Sequence, residues 1–224
     1  MFIQIGTPER LSSIGQEKID LKEAKAKIEI AVLDDNAFAP KESLVNHNFR
    51  IRELGPDIRS TEIIAPYPII ICDVRGVGKA FGSPLEGAHL VSEIRKDYPD
   101  KYIISYTGET YSLPITNALA SADKRLAKDD SLDVWIKTLE TGLNEISNPR
   151  NRWIRLRAAL LLRGVELHNV FNLEQALIKS VREKKPDILE KKAMSSSISA
   201  EAKDLVVKFS ATALAALIGS ALGI

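Results

Sequence analysis

The chain has 224 residues, with 31 Lys and Arg against 30 Asp and Glu and a formal net charge of +1. So even a balance argues against a protein built mainly to coat nucleic acid, and 45% apolar content is too high for a wholly disordered chain. One cysteine, Cys72, excludes an internal disulfide and a cysteine-rich zinc site, and fits a reducing, cytoplasmic setting. No basic stretch followed by an apolar run opens the chain, so no secretory signal is expected. Residues 1–27 read as an extension: a short apolar run, Met1 to Ile5, then lysines alternating with Glu17, Asp20 and Glu23 as on a solvated helix.

From residue 28 the pattern changes. Ile28 to Leu33, Pro68 to Cys72 and Tyr102 to Tyr106 are short runs rich in β-branched or aromatic residues. Near-continuous apolarity of this kind marks strands buried on both faces of a parallel sheet. Arg50 to Leu54 alternates and suits a strand nearer the edge, and Lys124 to Ala127 is a weaker fifth strand. Between them, Leu85, Ala88, Val91 and Ile94 make one helical face. Ser131 is placed to cap a helix carrying Trp135, Leu139, Leu143 and Ile146. Strand–helix alternation over residues 28–146 predicts an open α/β domain with a doubly wound, five-stranded parallel sheet.

A helical region is predicted over 147–185. Asn148-Pro149 is a start signal followed by the stripe Trp153, Leu156 and Leu160, and Asn172 with Gln175 reads as a second start. Residues 186–199, with four serines, read as a linker, and 200–224 as an apolar tail helix. Arg150, Arg152, Arg155, Arg157 and Arg163 read as a solvated helix face, with contact to phosphates as the alternative. No helix-turn-helix pattern follows, so nucleic acid is not an expected partner.

The tail from 205 onward holds a single charge, Lys208, and carries Ala211, Ala215, Gly219 and Gly223 at every fourth position. Such a ribbon of small residues lets helices approach closely in membranes, and the lysines upstream suit anionic headgroups. Three uses stay open: membrane contact, assembly with a second copy, or packing against the chain's own helices.

In doubly wound sheets, sites form outside the carboxyl ends of the strands. Those ends carry Asp34 and Asp35, then Asp73, then Thr107 and Gly108, then Lys128. Three carboxylates brought together repel one another, and a hard divalent cation with oxygen ligands is the natural compensation. A carboxylate beside Mg²⁺, a hydroxyl and a lysine is placed to accept a phosphoryl group, because these partners share the charge on its oxygens.

The stretches VLDDN (32–36), IIICDV (69–74), PLEGAHLVSEIRKDYPDKYIISYTG (84–108) and ADKRLAK (122–128) together resemble the receiver domain of two-component response regulators. The resemblance implies phosphorelay signalling, with a histidine kinase or phosphotransfer protein as partner and Mg²⁺ as cofactor. Asp73 is then the phosphoacceptor, Asp35 a direct ligand of the cation, Asp34 a ligand through water, and the carbonyl of Arg75 a further ligand. Thr107 matches the switch hydroxyl, Gly108 the small residue that leaves room for the phosphoryl group, and Lys128 the lysine that pairs with its oxygens.

Three positions depart from that pattern. The loop VRGVGKAFGSP after Asp73 is longer than the family's short connection, Arg125 replaces an aromatic, and Asp129 stands where a proline is usual. Output is expected through the helical region and tail, by oligomerisation or membrane contact. The alternative is a receiver-like scaffold that is not phosphorylated. Gly76, Gly78, Lys79 and Gly82 do not form a Walker loop, since Val74 and Ala80 occupy the positions that need glycine and a hydroxyl. His47, His89 and His168 lack metal-ligand spacing, and Cys72 reads as a small buried residue.

Overall fold

A computed structural model describes residues 7–15, 19–108 and 112–214. The chain forms two compact units. One is Ile19–Asn148, and the other joins the residues before it to those from Pro149 onward.

The first unit contains α1 (Leu21–Lys27), β1 (Glu29–Leu33), α2 (Lys41–Asn46), β2 (Arg50–Glu53), β3 (Ile69–Asp73), α3 (Gly87–Asp97), β4 (Tyr102–Thr107), α4 (Leu113–Ala118), β5 (Lys124–Ala127) and α5 (Leu132–Ser147). The five strands are parallel in the order β2-β1-β3-β4-β5, the flavodoxin-like doubly wound arrangement expected from the sequence. Alternation along the buried strands sorts the core into two layers. Ile69 and Ile71 face a layer with Ala24 of α1, Leu44 of α2 and Trp135, Leu139 and Leu143 of α5. Ile70 and Cys72 face the other, with Ala88, Val91 and Ile94 of α3 and Ile115 of α4. The alternating β2 and the weak β5 are the two edges, where one flank of each strand has no neighbour.

The unit begins earlier than residue 28, because the charged lead-in folds back onto the sheet domain. Asp20 caps α1 by accepting from the backbone N–H groups of Lys22 and Glu23, and Lys25 reaches Glu140 of α5 at 2.7 Å. Between β2 and β3 the chain makes only a 3-10 turn, Thr61–Ile64. Gly55-Pro56, Pro66 and Pro68 interrupt this crossover. Its carbonyls are satisfied instead by a buried lysine, whose Nζ donates to Ala65 at 2.7 Å and Tyr67 at 2.9 Å from position 101.

The second unit contains α6 (Pro149–Leu162), α7 (Leu167–Glu183), α8 (Asp187–Ser195) and α9 (Ala200–Phe209), ending in a π-helical turn, Ser210–Leu214. Trp153, Leu156 and Leu160 are fully buried, as their stripe predicts. The second start signal is misplaced. α7 begins at Leu167, and Asn172 and Gln175 lie inside it. Their side chains do other work: Asn172 pairs with His168 at 3.0 Å, and the Gln175 amide clasps the backbone N–H and carbonyl of Glu9, both at 2.9 Å. The arginines are not one solvated face, since Arg152 is buried and Arg157 and Arg163 pair with Glu174 and Glu201.

Residues 186–199 are not a linker. They hold α8, whose Leu189 and Ala193 are buried in the helical core. The cap explains why a serine-rich stretch folds: the buried Ser180 hydroxyl of α7 accepts from Leu189 N–H at 3.0 Å, satisfying a free donor of the first turn of α8. Ser180→Ala is expected to cost about 1–2 kcal/mol by orphaning that buried donor, measurable as a lower urea midpoint of the helical unit.

Much of the apolar tail is used internally. Leu205, Val206, Phe209, Ala213 and Leu214 belong to the same core. Among the described residues no helix is long and apolar enough to cross a membrane. Residues 215–224, with Ala215, Gly219 and Gly223 of the small-residue ribbon, lie outside the described residues.

Candidate functional site

Four strands deliver the expected residues to one end of the sheet. β1 ends at Leu33, immediately before Asp34 and Asp35, and β3 ends on Asp73 itself. The register pairs Cys72 with Ser105 and Asp73 with Tyr106, so Thr107 lies one step beyond Asp73 at the end of β4. Lys128 then follows β5, its backbone N–H donating to the Thr107 carbonyl at 2.8 Å.

The side chains meet there. Oxygen atoms of Asp34, Asp35 and Asp73 lie within 4.8 Å of one another. Asp73 is 1% exposed. Its Oδ1 accepts from the N–H groups of Val74 at 2.6 Å and Arg75 at 3.4 Å, and its Oδ2 pairs with Lys128 Nζ at 2.6 Å. Asp34 is nearly buried and accepts from Asn36 N–H at 2.9 Å and from the Tyr106 hydroxyl, while the exposed Asp35 accepts from the Asn36 amide at 2.7 Å. Thr107 is buried beside them. A side chain built at Gly108 would meet only Lys128 Cδ, at 3.8 Å, so that position leaves space above the lysine.

Burial raises the Asp73 pKa, against the opposing pull of Lys128 and the Arg75 N–H. Burial also acts on Lys128, but there the bond to Asp73 prevails and its pKa is raised. Cys72, on the opposite face of β3 from the pocket's aromatic side, is buried and its thiol is pushed up by desolvation and by Asp73, which keeps it an inert packing group.

The residues fit a divalent cation by donor chemistry. Three carboxylates and one paired ammonium leave an excess of negative charge, and all the donors are hard oxygens. A cradle is also present: at Gly76 (φ +76°) a Cβ would lie 2.1 Å from Asp35 Oδ2, so the Arg75–Gly76 backbone lies directly against that carboxylate.

In the cation-free protein the raised Asp73 pKa carries a sign. Folded Asp73 holds its proton to higher pH than the unfolded residue does, so the native state binds more protons between the two pKa values. Stability therefore falls as pH rises through that window. Melts in EDTA, taken upward in pH from the ordinary aspartate range, are expected to show this fall in the native protein and its loss in Asp73→Asn, read as the difference between the two Tm series.

The sequence did not reveal the parts played by five residues that shape the pocket. The Tyr106 hydroxyl reaches Asp34, and its ring lies 5.3 Å from Lys128 Nζ. Glu86, held at φ +48°, accepts from Gly76 N–H at 2.9 Å and pins the long loop after Asp73, which Val77 also anchors by complete burial. Gly76 makes room for the Asp35 carboxylate, and Gly87 for the Asp73 carbonyl and the Val77 side chain. The only available signal was that a buried tyrosine needs a partner for its hydroxyl. Arg125, at the position of the missing aromatic, donates to the Leu119 carbonyl at 3.3 Å.

No family model and no curated protein matches the chain. Solved structures do. A CheY-like response regulator receiver domain protein from Methanospirillum hungatei JF-1 is 18% identical, over 53% of this chain and 94% of that one, with a TM-score of 0.41. A two-component response regulator from Clostridium difficile is 21% identical over 54% and 98%, also at 0.41. A response regulator from Burkholderia pseudomallei, described with a phosphorylated aspartic acid, a calcium ion and citrate, is 19% identical over 69% and 93%, again at 0.41. The fold assignment itself stands on this chain's own strand order and parallel register.

Proposed function

We propose that the sheet unit is a receiver that accepts a phosphoryl group on Asp73, in phosphorelay signalling with a histidine kinase or phosphotransfer protein. The observation that carries this reading is the pairing of buried Asp73 with Lys128 at 2.6 Å, within reach of the Asp34 and Asp35 oxygens. An Asp73 oxygen attacks phosphorus. The new O–P bond forms as the donor's P–N bond to imidazole, or P–O bond to an acyl group, breaks; the leaving group keeps the electron pair, imidazole taking a proton from solvent and the acyl group departing as its carboxylate. Lys128 moves its ammonium from the carboxylate to a phosphoryl oxygen, the Thr107 hydroxyl donates to another, and Gly108 leaves the space both need. Asp35, Asp73 and the Arg75 carbonyl would hold Mg²⁺, with Asp34 acting through water. The ion supplies neutralising charge at the transferring group.

Output through the helical unit, by assembly with further copies or by contact with a membrane, is part of the same proposal. What supports it is apolar surface left exposed there, at Leu162, Leu167, Phe171 and Met194. A reducing cytoplasm fits the single buried thiol.

The test is intact-mass measurement of the full chain incubated with acetyl phosphate and Mg²⁺. One added phosphoryl mass on the native protein, absent with EDTA and absent in Asp73→Asn, is the expected result. A native protein that takes no phosphoryl group under these conditions overturns the proposal and leaves the unphosphorylated scaffold, a reading favoured by Arg125 in place of the aromatic.

A further inference from the structure

Tyr106 touches two members of the pocket at once. Its hydroxyl donates to Asp34 Oδ2, and its ring face receives the Lys128 ammonium at 5.3 Å. The hydroxyl is held as a donor, since burial and the bond to Asp34 push its pKa far up. The rest of the ring lies in a closed aromatic triad. Tyr106 and Trp135 meet edge-on at 5.6 Å and 79°, Phe38 and Trp135 at 5.3 Å and 77°, and Phe38 and Tyr106 at 5.6 Å and 79°. Phe38 follows Asp34 and Asp35 on the same loop, and Trp135 stands in the first turn of α5. Among the described residues the buried Trp135 Nε1 has no hydrogen-bond partner, so packing against the other two rings sets its place.

We infer that Tyr106 is the positioning residue of the cation pocket, orienting Asp34 through its hydroxyl and transmitting the pocket's occupancy through its ring to Trp135 on α5. This rests on the reading of Asp34, Asp35 and Asp73 as a cation site. The physical reason is the behaviour of ligand supports generally: a carboxylate fixed by donors on both oxygens, here Asn36 N–H on Oδ1 and the Tyr106 hydroxyl on Oδ2, keeps its orientation toward the ion and the water between them, and losing such a support typically weakens binding by tenfold or more. A cation drawing on Asp34 shifts the one oxygen that Tyr106 grips. In a close-packed triad the ring cannot follow without moving the indole. The route leaves the pocket toward α5 and makes no use of position 125.

The test titrates Mg²⁺ alone into the full chain, reading heat and tryptophan emission. The native protein is expected to show saturable binding with a change in emission. Since the chain has two tryptophans, the change should persist in Trp153→Phe and vanish in Trp135→Phe. Tyr106→Phe keeps the ring and removes only the hydroxyl. Its Mg²⁺ Kd is expected to rise about tenfold, with the emission response lost and far-UV ellipticity unchanged. Unchanged Kd and unchanged emission response in Tyr106→Phe overturn the inference and leave the cation site standing. Absence of calorimetric Mg²⁺ binding by the native protein overturns the site reading and the inference with it. Should Tyr106→Phe fail to fold, the native titration decides: Mg²⁺ binding with no emission change assigned to Trp135 overturns the transmission.

Discussion

Gly87→Ala is expected to slow phosphoryl acceptance about a hundredfold although it replaces none of the reacting side chains. Gly87 opens α3, and a Cβ there would sit 1.9 Å from the backbone oxygen of Asp73 and 2.7 Å from Val77 Cγ2. Neither neighbour can yield cheaply. The first is backbone at the end of a central strand, and the second belongs to a fully buried side chain. Relief requires α3 to move off the sheet or Asp73 to tilt out of its pairing with Lys128. Overpacking of this kind costs about 3 kcal/mol, and a displacement of the acceptor on the order of 1 Å costs about a hundredfold in rate. The measurements are the thermal midpoint and the Mg²⁺-dependent labelling rate from acetyl phosphate. Gly82→Ala is the control from the same loop. Its site is open, with nothing within 4 Å of the added carbon, so only the left-handed backbone (φ +70°) penalises it, by about 1 kcal/mol. Labelling of Gly82→Ala at the native rate is expected. Native labelling by Gly87→Ala would mean the backbone around Asp73 accommodates the methyl group without moving the acceptor.

Trp153→Ala is expected to collapse the helical unit and spare the sheet unit. The Trp153 ring is fully buried, meets Phe209 at 6.2 Å, and donates its indole N–H to Glu174 at 2.8 Å. Truncation removes the largest side chain of that core, at about 3–5 kcal/mol, and leaves the mostly buried Glu174 carboxylate without that donor. A core of this size supplies about 3–5 kcal/mol in total, so the loss is comparable with the unit's whole stability. Far-UV ellipticity is expected to drop by the contribution of α6 to α9, whereas labelling at Asp73 continues, because the sheet unit has separate hydrophobic clusters of its own. Loss of labelling together with helicity would show that the two units stand or fall together.

The legible parts of the molecule were those whose signal is local. Near-continuous apolar runs located the three central strands within one residue at each end, because burial on both faces leaves no polar position to interrupt them. Strand ends then pointed to Asp34, Asp35, Asp73, Thr107 and Lys128, and the register brings these together. The illegible parts depended on partners distant in the chain. The serine-rich 186–199 segment looked like a linker because the hydroxyl that caps α8 belongs to Ser180, on another helix. Asn172 and Gln175 have the composition of a helix start, yet inside α7 they bond to His168 and to the backbone of Glu9. A side chain that can cap can equally serve a remote strand of backbone, and spacing alone does not distinguish the two.

The opening balance of 31 basic against 30 acidic residues is the average of unlike parts. By itself the sequence determined the strand runs, the order of the acidic and basic residues at their ends, and the concentration of apolar residues after 205. Hydrophobic periodicity and strand polarity are properties of neighbouring residues, so they can be read along the chain. Only the tertiary structure decided how the Asp73 charge is held, that Tyr106 grips Asp34, that glycine is required where α3 meets the strand end, and that residues 205–214 are spent on the helical core. Each of these is a contact between segments far apart in sequence, and their energies come from burial and close approach that no local pattern records.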